Sequence, residues 1–135
     1  MDLLNEMDFV FVCVDSGAAK RPAVEHLEEQ GTPFIDVGMG IEMGDDALVG
    51  VLRVTLSTAE QREPLRRRVG MGEADVDDAY ATNIQVADLN ALNATLAVIR
   101  WKKLVGFYAD FEGEHSSNYT IDGNTINNMD GRDDD

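Results

Sequence analysis

The chain has 135 residues, of which 44% are hydrophobic and 27% charged, a balance typical of one globular domain with its own core. Its formal net charge of −15 argues against nucleic acid or an anionic membrane as a partner, because both would be repelled. The amino terminus has no secretion signal, and no stretch approaches the about 20 consecutive apolar residues of a membrane-spanning helix. We therefore expect a cytoplasmic protein.

The first forty residues predict a strand-helix-strand crossover. The run D-F-V-F-V-C-V-D, from Asp8 to Asp15, is typical of a strand buried on both faces. It contains the single cysteine, Cys13, so we expect a buried thiol and neither a disulfide nor a cysteine-rich zinc site. A helical stretch follows and ends at Gly31. The second strand, T-P-F-I-D-V-G, covers residues 32–38, and we expect the two strands to be adjacent and parallel.

The candidate site residues follow from this arrangement, because open α/β sheets bind ligands outside the carboxyl ends of their strands. Asp15 lies at such an end, where a carboxylate can hold magnesium and, through it, nucleotide phosphates. The same residue would serve equally well as the cap of the following helix. Asp36 is a weaker candidate inside its strand. His26 and His115 have no other ligand at metal spacing, so we expect surface or packing roles.

The glycine string G-M-G-I-E-M-G, from Gly38 to Gly44, predicts a glycine-rich turn rather than a dinucleotide loop. A dinucleotide loop must open a helix that holds the phosphates, whereas here Asp45 and Asp46 precede another β-rich run. That run, A-L-V-G-V-L-R-V-T-L, predicts a third strand over residues 47–56.

Two segments show little periodicity. Residues 57–79 are predicted to be a long connection, in which Arg66 to Arg68 form either a solvated surface run or a grip for a carboxylate or phosphate. Beyond Met129 the acidic sequence D-G-R-D-D-D cannot bury anything. We therefore expect a domain over residues 1–128 and an acidic disordered tail over residues 129–135.

The second half of the domain predicts one helix and two strands. Thr82 and Gln85 have the spacing of a capping box, and apolar residues then continue to about Lys103, which indicates a buried packing helix. The β-like runs are V-G-F-Y-A-D-F, over residues 105–111, and S-N-Y-T-I-D, over residues 117–122.

Three segments resemble the carboxyl-terminal half of a ThiF/MoeB/HesA-type adenylating domain, the fold shared with ubiquitin-activating enzymes. They are D-F-V-F-V-C-V-D-S-G-A-A-K-R, T-P-F-I-D-V-G-M-G-I and Y-A-T-N-I-Q-V-A-D-L-N-A-L-N-A-T-L-A-V-I-R-W-K-K-L, of which the third is the most specific. The resemblance extends from Asp8 to about Asp122. It implies a Rossmann-like layered α/β fold with a mixed sheet, in which the later strands are at least partly antiparallel.

The resemblance also implies a site. In this family the strand-end Asp binds the magnesium of ATP, and a basic side chain usually follows five residues later; Asp15 and Lys20 occupy these positions. Asp15 and Lys20 would thus be catalytic, Asp15 and Ser16 would contact the nucleotide, and Asp15 would bind magnesium. Ser16 stands where the family usually has Asn. Such enzymes adenylate the carboxyl-terminal glycine of a small β-grasp protein, and a sulfur donor, cysteine or amine then attacks the adenylate.

The family's other nucleotide-binding elements, which are a glycine-rich loop, a ribose carboxylate, a phosphate-binding lysine and an arginine finger, correspond to positions upstream of residue 1. We therefore expect ATP and magnesium to bind only with a complementing amino-terminal half. The paired C-x-x-C zinc ligands of several members are absent, so no zinc is expected. The expected partners are a small ubiquitin-like or sulfur-carrier protein and either that complementing half or further copies of the chain, because an incomplete sheet exposes an edge.

Two other classes remain open. One is a non-catalytic interaction module derived from the adenylating fold. The other is the second half of a nicotinamide-dependent dehydrogenase domain, for which residues 8–38 alone would be suitable. The sequence N-I-Q-V-A-D-L-N-A-L-N-A favours the adenylating family over the dehydrogenase.

Overall fold

The computed structural model describes residues 2–14, 17–63, 65 and 85–129, which form a mixed α/β fold. A short 3-10 helix, Asp2–Glu6, precedes two longer helices and five strands. In chain order these are β1 (Val10–Val12), α1 (Gly17–Gln30), β2 (Phe34–Met43), β3 (Leu48–Ser57), α2 (Ala87–Leu104), β4 (Ser116–Thr120) and β5 (Thr125–Met129). The strands form one sheet in the order β1-β2-β3-β4-β5.

Several predicted features lie outside the described residues. They are Asp15 and Ser16, the run from Arg66 to Arg68 with most of the predicted long connection, Thr82, and the acidic tail beyond Met129.

The predicted crossover is confirmed. Strand β1 pairs in parallel with β2, with Val10 opposite Phe34 and Val12 opposite Asp36. Helix α1 joins the two strands and ends at Gly31, whose φ of 75° suits a residue without a side chain. The other strand pairs, β2–β3, β3–β4 and β4–β5, are antiparallel, so the sheet is mixed.

The prediction of a long first strand buried on both faces is wrong. Strand β1 has three residues, and it lies at the edge of the described sheet. Phe11 is 39% exposed, and its ring packs against the rings of Phe9 and Trp101, with centroids 5.3 and 6.3 Å away. Cys13 lies beyond the end of β1 and is exposed, so the prediction of a buried thiol is also wrong.

The glycine string does not form a turn, because it continues β2 as far as Met43. The chain reverses at the next residues, where the amide of Gly44 donates to the carbonyl of Ala47 over 2.7 Å. The third predicted strand is confirmed as β3. Its Gly50 is required by the close pairing of the two strands, since a Cβ there would lie 2.5 Å from the carbonyl oxygen of Gly40.

The prediction for residues 105–111 is wrong: they form an irregular connection after α2 rather than a strand. The strand predicted over residues 117–122 is confirmed as β4. Strand β5, which the sequence did not predict, pairs with β4 after a turn in which Asn124 has a φ of 51°. Asn tolerates this left-handed conformation better than most residues.

The two helices cover opposite faces of the sheet, and each face has its own core. On the α1 face the buried apolar residues are Val12, Val24, Leu27, Phe34 and Leu65. On the α2 face they are Ile35, Val54, Leu56 and Ala97, with Leu96 and Trp101 packed against them.

Helix α2 differs from the predicted buried helix in two ways. It begins at Ala87 after Val86, whose side chain makes no capping hydrogen bond, so the predicted capping box does not start it. Its buried residues are Asn93, Ala97 and Arg100, which lie on one side of the helix. The opposite side is exposed.

Candidate functional site

A buried ion pair lies beside the carboxyl end of β1. Lys20 is in the first turn of α1, and its Nζ is 2.8 Å from Oδ1 of Asp36 in β2. The two residues are 6% and 1% exposed. The register of the parallel pair explains the contact, since Asp36 is opposite Val12, the last residue of β1, and α1 starts shortly after that point.

The carboxylate of Asp36 is incompletely satisfied. Its Oδ2 has no hydrogen-bond partner among the described residues, although it is buried. Burial raises the pKa of Asp36, and the charges of Lys20 and Arg53 offset that effect only in part. A raised pKa and an unpartnered oxygen make the buried Asp36 a candidate site residue.

Further polar side chains continue from Asp36 across the same face of the sheet. Asp36 is opposite Thr55 in β3, and Thr55 is opposite Ser116 in β4. The hydroxyl oxygens of Thr55 and Ser116 are 3.4 Å apart, and both residues are fully buried. This row of buried polar groups, which we call the polar row, therefore crosses three strands.

Asn93 anchors α2 to the sheet at the part of β2 just beyond the end of β1. It is 1% exposed, and its Nδ2 donates to the carbonyl oxygen of Gly38 over 2.9 Å. Gly38 lies in the part of β2 that extends past the end of β1. The amide of Asn93 thus satisfies a backbone group that β1 does not reach.

A second charged cluster lies at the other end of α2. The guanidinium of Arg100 donates to both carboxylate oxygens of Asp110, over 3.0 and 2.5 Å, and its Nη1 is 3.1 Å from Oε2 of Glu114. Lys103 donates to the same oxygen of Glu114 over 3.1 Å. The amide of Gly113 donates to Asp110 over 3.2 Å, so these bonds fix the irregular connection against α2.

Both carboxylates of this cluster have lowered pKa values. Hydrogen bonding from Arg100 is the main reason that the pKa of Asp110 is lowered. Burial acts to raise the pKa of Glu114, but hydrogen bonds from its own amide and from Lys103, with the charges of Arg100 and Lys103, lower it overall. The cluster is an ion-pair network, in which Nε of Arg100 and Oε1 of Glu114 have no hydrogen-bond partner among the described residues.

Of the three site residues that the resemblance implies, Asp15, Ser16 and Lys20, only Lys20 lies within the described part of the chain. It is on the helix that follows β1, as expected, and it contacts Asp36, the candidate that the sequence ranked lower. The histidines have the expected surface and packing roles: His26 shares a 2.7 Å hydrogen bond with Asn5, and His115 one of 3.1 Å with the carbonyl of Leu56.

Sequence reasoning missed the polar row, although the pattern R-V-T-L-S in β3 contained a signal for it. Arg53, Thr55 and Ser57 alternate with apolar residues, which places all three on one face of the sheet.

The described residues contain no ready-made cluster of metal ligands. Among them, no group of three or more His, Cys, Asp or Glu side chains is placed to hold a metal ion. Asp36 is the carboxylate that the described residues place beside the carboxyl end of β1. Its neighbour at 2.8 Å is the ammonium of Lys20, which would compete with a metal cation for this carboxylate. Partial burial and the charge of Asp36 raise the pKa of Cys13, which disfavours a reactive thiolate.

The chain matches no model of a known protein family and no curated protein sequence. Within the described residues, no helix is long and apolar enough to cross a membrane.

Proposed function

We propose that the chain is the carboxyl-terminal half of a Rossmann-like, ATP-dependent adenylating domain. Once an amino-terminal half completes it, the domain activates the carboxyl-terminal glycine of a small ubiquitin-like or sulfur-carrier protein. The observation that carries the proposal is the position of Lys20. The family usually has a basic residue five positions after the strand-end Asp, and Lys20, at that position, is buried beside the carboxyl end of β1, where open α/β sheets bind ligands.

The proposed reaction gives Lys20 and Asp36 complementary tasks. The carboxylate of the carrier glycine attacks the α-phosphorus of ATP, and pyrophosphate leaves as the acyl-adenylate forms. The ammonium of Lys20 stabilises negative charge that develops on the phosphate oxygens. Asp36 holds that ammonium in place from 2.8 Å away. The magnesium role that the resemblance gives to Asp15 stays a prediction about a residue outside the described part of the chain.

The test is ATP–pyrophosphate exchange that depends on the carrier protein, measured with the chain and the product of the neighbouring reading frame together. The chain alone should bind ATP weakly, because the resemblance places the backbone donors of the phosphate loop in the complementing half. In the complete enzyme, Asp15→Ala should abolish exchange and leave the circular dichroism spectrum unchanged. If exchange survives Asp15→Ala at normal magnesium, Asp15 is only a helix cap and the site assignment is wrong.

One observation favours a second candidate, the non-catalytic interaction module. Lys20 and Asp36 neutralise each other, so the pair presents less positive charge to a phosphate than a free lysine would. In that case neither ATP binding nor ATP–pyrophosphate exchange would be detected, even with the complementing half. The dehydrogenase alternative has no comparable support, because β2 leads through a hairpin into the antiparallel β3 rather than into another strand-helix-strand unit.

A further inference from the structure

We infer that the exposed side of α2 is an interface on which a second copy of this chain binds, with the two helices antiparallel. The surface consists of Ala91, Leu92, Thr95, Val98 and Ile99, and we call it the outer face of α2. The inference concerns a different part of the molecule from Lys20 and does not depend on the proposed activity.

The outer face is apolar and exposed. Leu92, Val98 and Ile99 are 37%, 40% and 37% exposed. Thr95, which lies among them, donates its hydroxyl to the carbonyl of Ala91 over 2.8 Å, so its one hydrogen-bond donor is used within the helix. Arg100 is the one charged residue between Asp88 and Lys102, and it is buried on the opposite side. Water-facing helix surfaces normally carry charges along their whole length.

The charges at the two ends of this surface indicate the occupant. Asp88 is in the first turn of α2 and Lys102 in the last, about four helical turns apart and on the same side of the helix. A partner must therefore be apolar in the middle, with a cation to meet Asp88 and an anion to meet Lys102. An antiparallel second copy of α2 has this pattern.

The outer-face residues and the two end charges occupy positions that are symmetric about Thr95. Asp88 and Lys102 are equally distant from it, as are Ala91 and Ile99, and also Leu92 and Val98. A two-fold axis at Thr95 therefore sets Asp88 opposite Lys102 and pairs each larger apolar residue with a smaller one. The small side chain at the axis allows the helices to approach closely.

The irregular connection after α2 would enlarge this contact at both ends. Phe107 and Tyr108 are 69% and 43% exposed, and Nζ of Lys102 lies 4.8 and 5.6 Å from their ring centroids. Because the axis repeats every feature, the aromatic pair occurs at each end of the helix pair. The addition matters because stable interfaces bury about 1,600 Å² in total, which is more than one pair of helices supplies.

A cysteine at the axis is the most direct test. Thr95→Cys in a Cys13→Ser background should give a disulfide-linked dimer under mild oxidation, since the two new thiols face each other. Asp122→Cys in the same background is the matched control, because it is exposed in the turn after β4 and should stay monomeric on a non-reducing gel. Cross-linking of the control but not of Thr95→Cys would overturn the proposal.

Charge exchange tests the orientation of the two helices. In sedimentation equilibrium, Asp88→Lys should weaken the dimer about tenfold, because two attractive pairs become repulsive. The double variant Asp88→Lys/Lys102→Asp should restore it, and Asp46→Lys, an equal charge change in the β2–β3 turn, should have no effect. Ile99→Asp should weaken the dimer about a hundredfold, since it places a charge in the apolar contact. A monomer at all concentrations up to the high-micromolar range would overturn the inference.

Discussion

Lys20 and Arg100 are both helix cations buried against the sheet, at 6% and 5% exposure, but their surroundings differ. Arg100 binds the carboxylates of Asp110 and Glu114, the second of which Lys103 also contacts, and these bonds fold the irregular connection after α2 into place. Lys20 meets the single carboxylate of Asp36, whose second oxygen has no partner among the described residues. Both arrangements leave buried atoms without a hydrogen-bond partner among the described residues, Nε of Arg100 and Oε1 of Glu114 in the first and Oδ2 of Asp36 in the second. They differ in that Arg100 binds two carboxylates, whereas Lys20 binds one.

The pKa values of the carboxyl groups are also shifted in opposite directions in the two clusters. Hydrogen bonds and positive charges keep the pKa values of Asp110 and Glu114 low, whereas burial outweighs Lys20 and raises the pKa of Asp36. A protein gains stability from the first cluster and gives some up at the second. This loss of stability lies at the end of the sheet where open α/β folds bind ligands. It makes Lys20 and Asp36 the better candidates for function.

The largest expected effect comes from breaking the Arg100 network. Arg100→Met should lower the free energy of unfolding by about 3 kcal/mol, because it leaves the carboxylates of Asp110 and Glu114 without the guanidinium that binds both. Chemical denaturation with urea at neutral pH measures the loss. Lys103→Met is the control, since Lys103 is 29% exposed and contacts one oxygen of Glu114. A loss equal to that of the control would show that Arg100 is not the centre of the network.

A smaller and pH-dependent effect is expected at the ion pair of Lys20 and Asp36. Lys20→Met should cost about 2 kcal/mol at neutral pH, where Asp36 must be charged without its counter-ion. The loss should disappear under acid conditions, because the protonated carboxyl can be buried without a cation. Urea denaturation at several pH values measures this. A loss that is the same at every pH would mean that Lys20 acts through packing alone.

The two clusters should also contribute to stability with opposite signs as the pH changes. The raised pKa of Asp36 means that its contribution is present below the unfolded-state pKa and is lost as the pH rises through the folded-state pKa. The lowered pKa values of Asp110 and Glu114 give a contribution that is present above their unfolded-state values and is lost as the pH falls through the folded ones. Arg100→Met should therefore flatten the acid limb of the stability curve.

The sequence predicted the parts of the fold that depend on local patterns. The parallel pair of β1 and β2, the end of α1 at Gly31, and strands β3 and β4 all follow from apolar runs bounded by turn residues. Its errors came from context. The apolar run at Asp8 does not reveal that β1 is at an edge, and glycines at 38 and 40 do not reveal that β3 keeps β2 extended.

The site was predictable only in part for a similar reason. Lys20 could be found because a sequence resemblance fixes its distance from Asp15. Its contact with Asp36 depends on the register of two strands and on the position of a helix, neither of which a linear pattern contains. The network of Arg100 was invisible for the same reason, and residues 105–111, which it holds, were predicted to be a strand.

The comparison between the two cations is tested most directly by measuring the carboxyl pKa values of Asp36 and Asp110 in one sample, from the pH dependence of their side-chain carbon-13 shifts. We expect Asp36 to titrate above the ordinary range of an aspartate and Asp110 below it. Values in that order would support a carboxylate that Lys20 stabilises incompletely and one that Arg100 stabilises strongly. An Asp36 that titrates at or below the ordinary value would mean that Lys20 fully satisfies it, and would contradict the account.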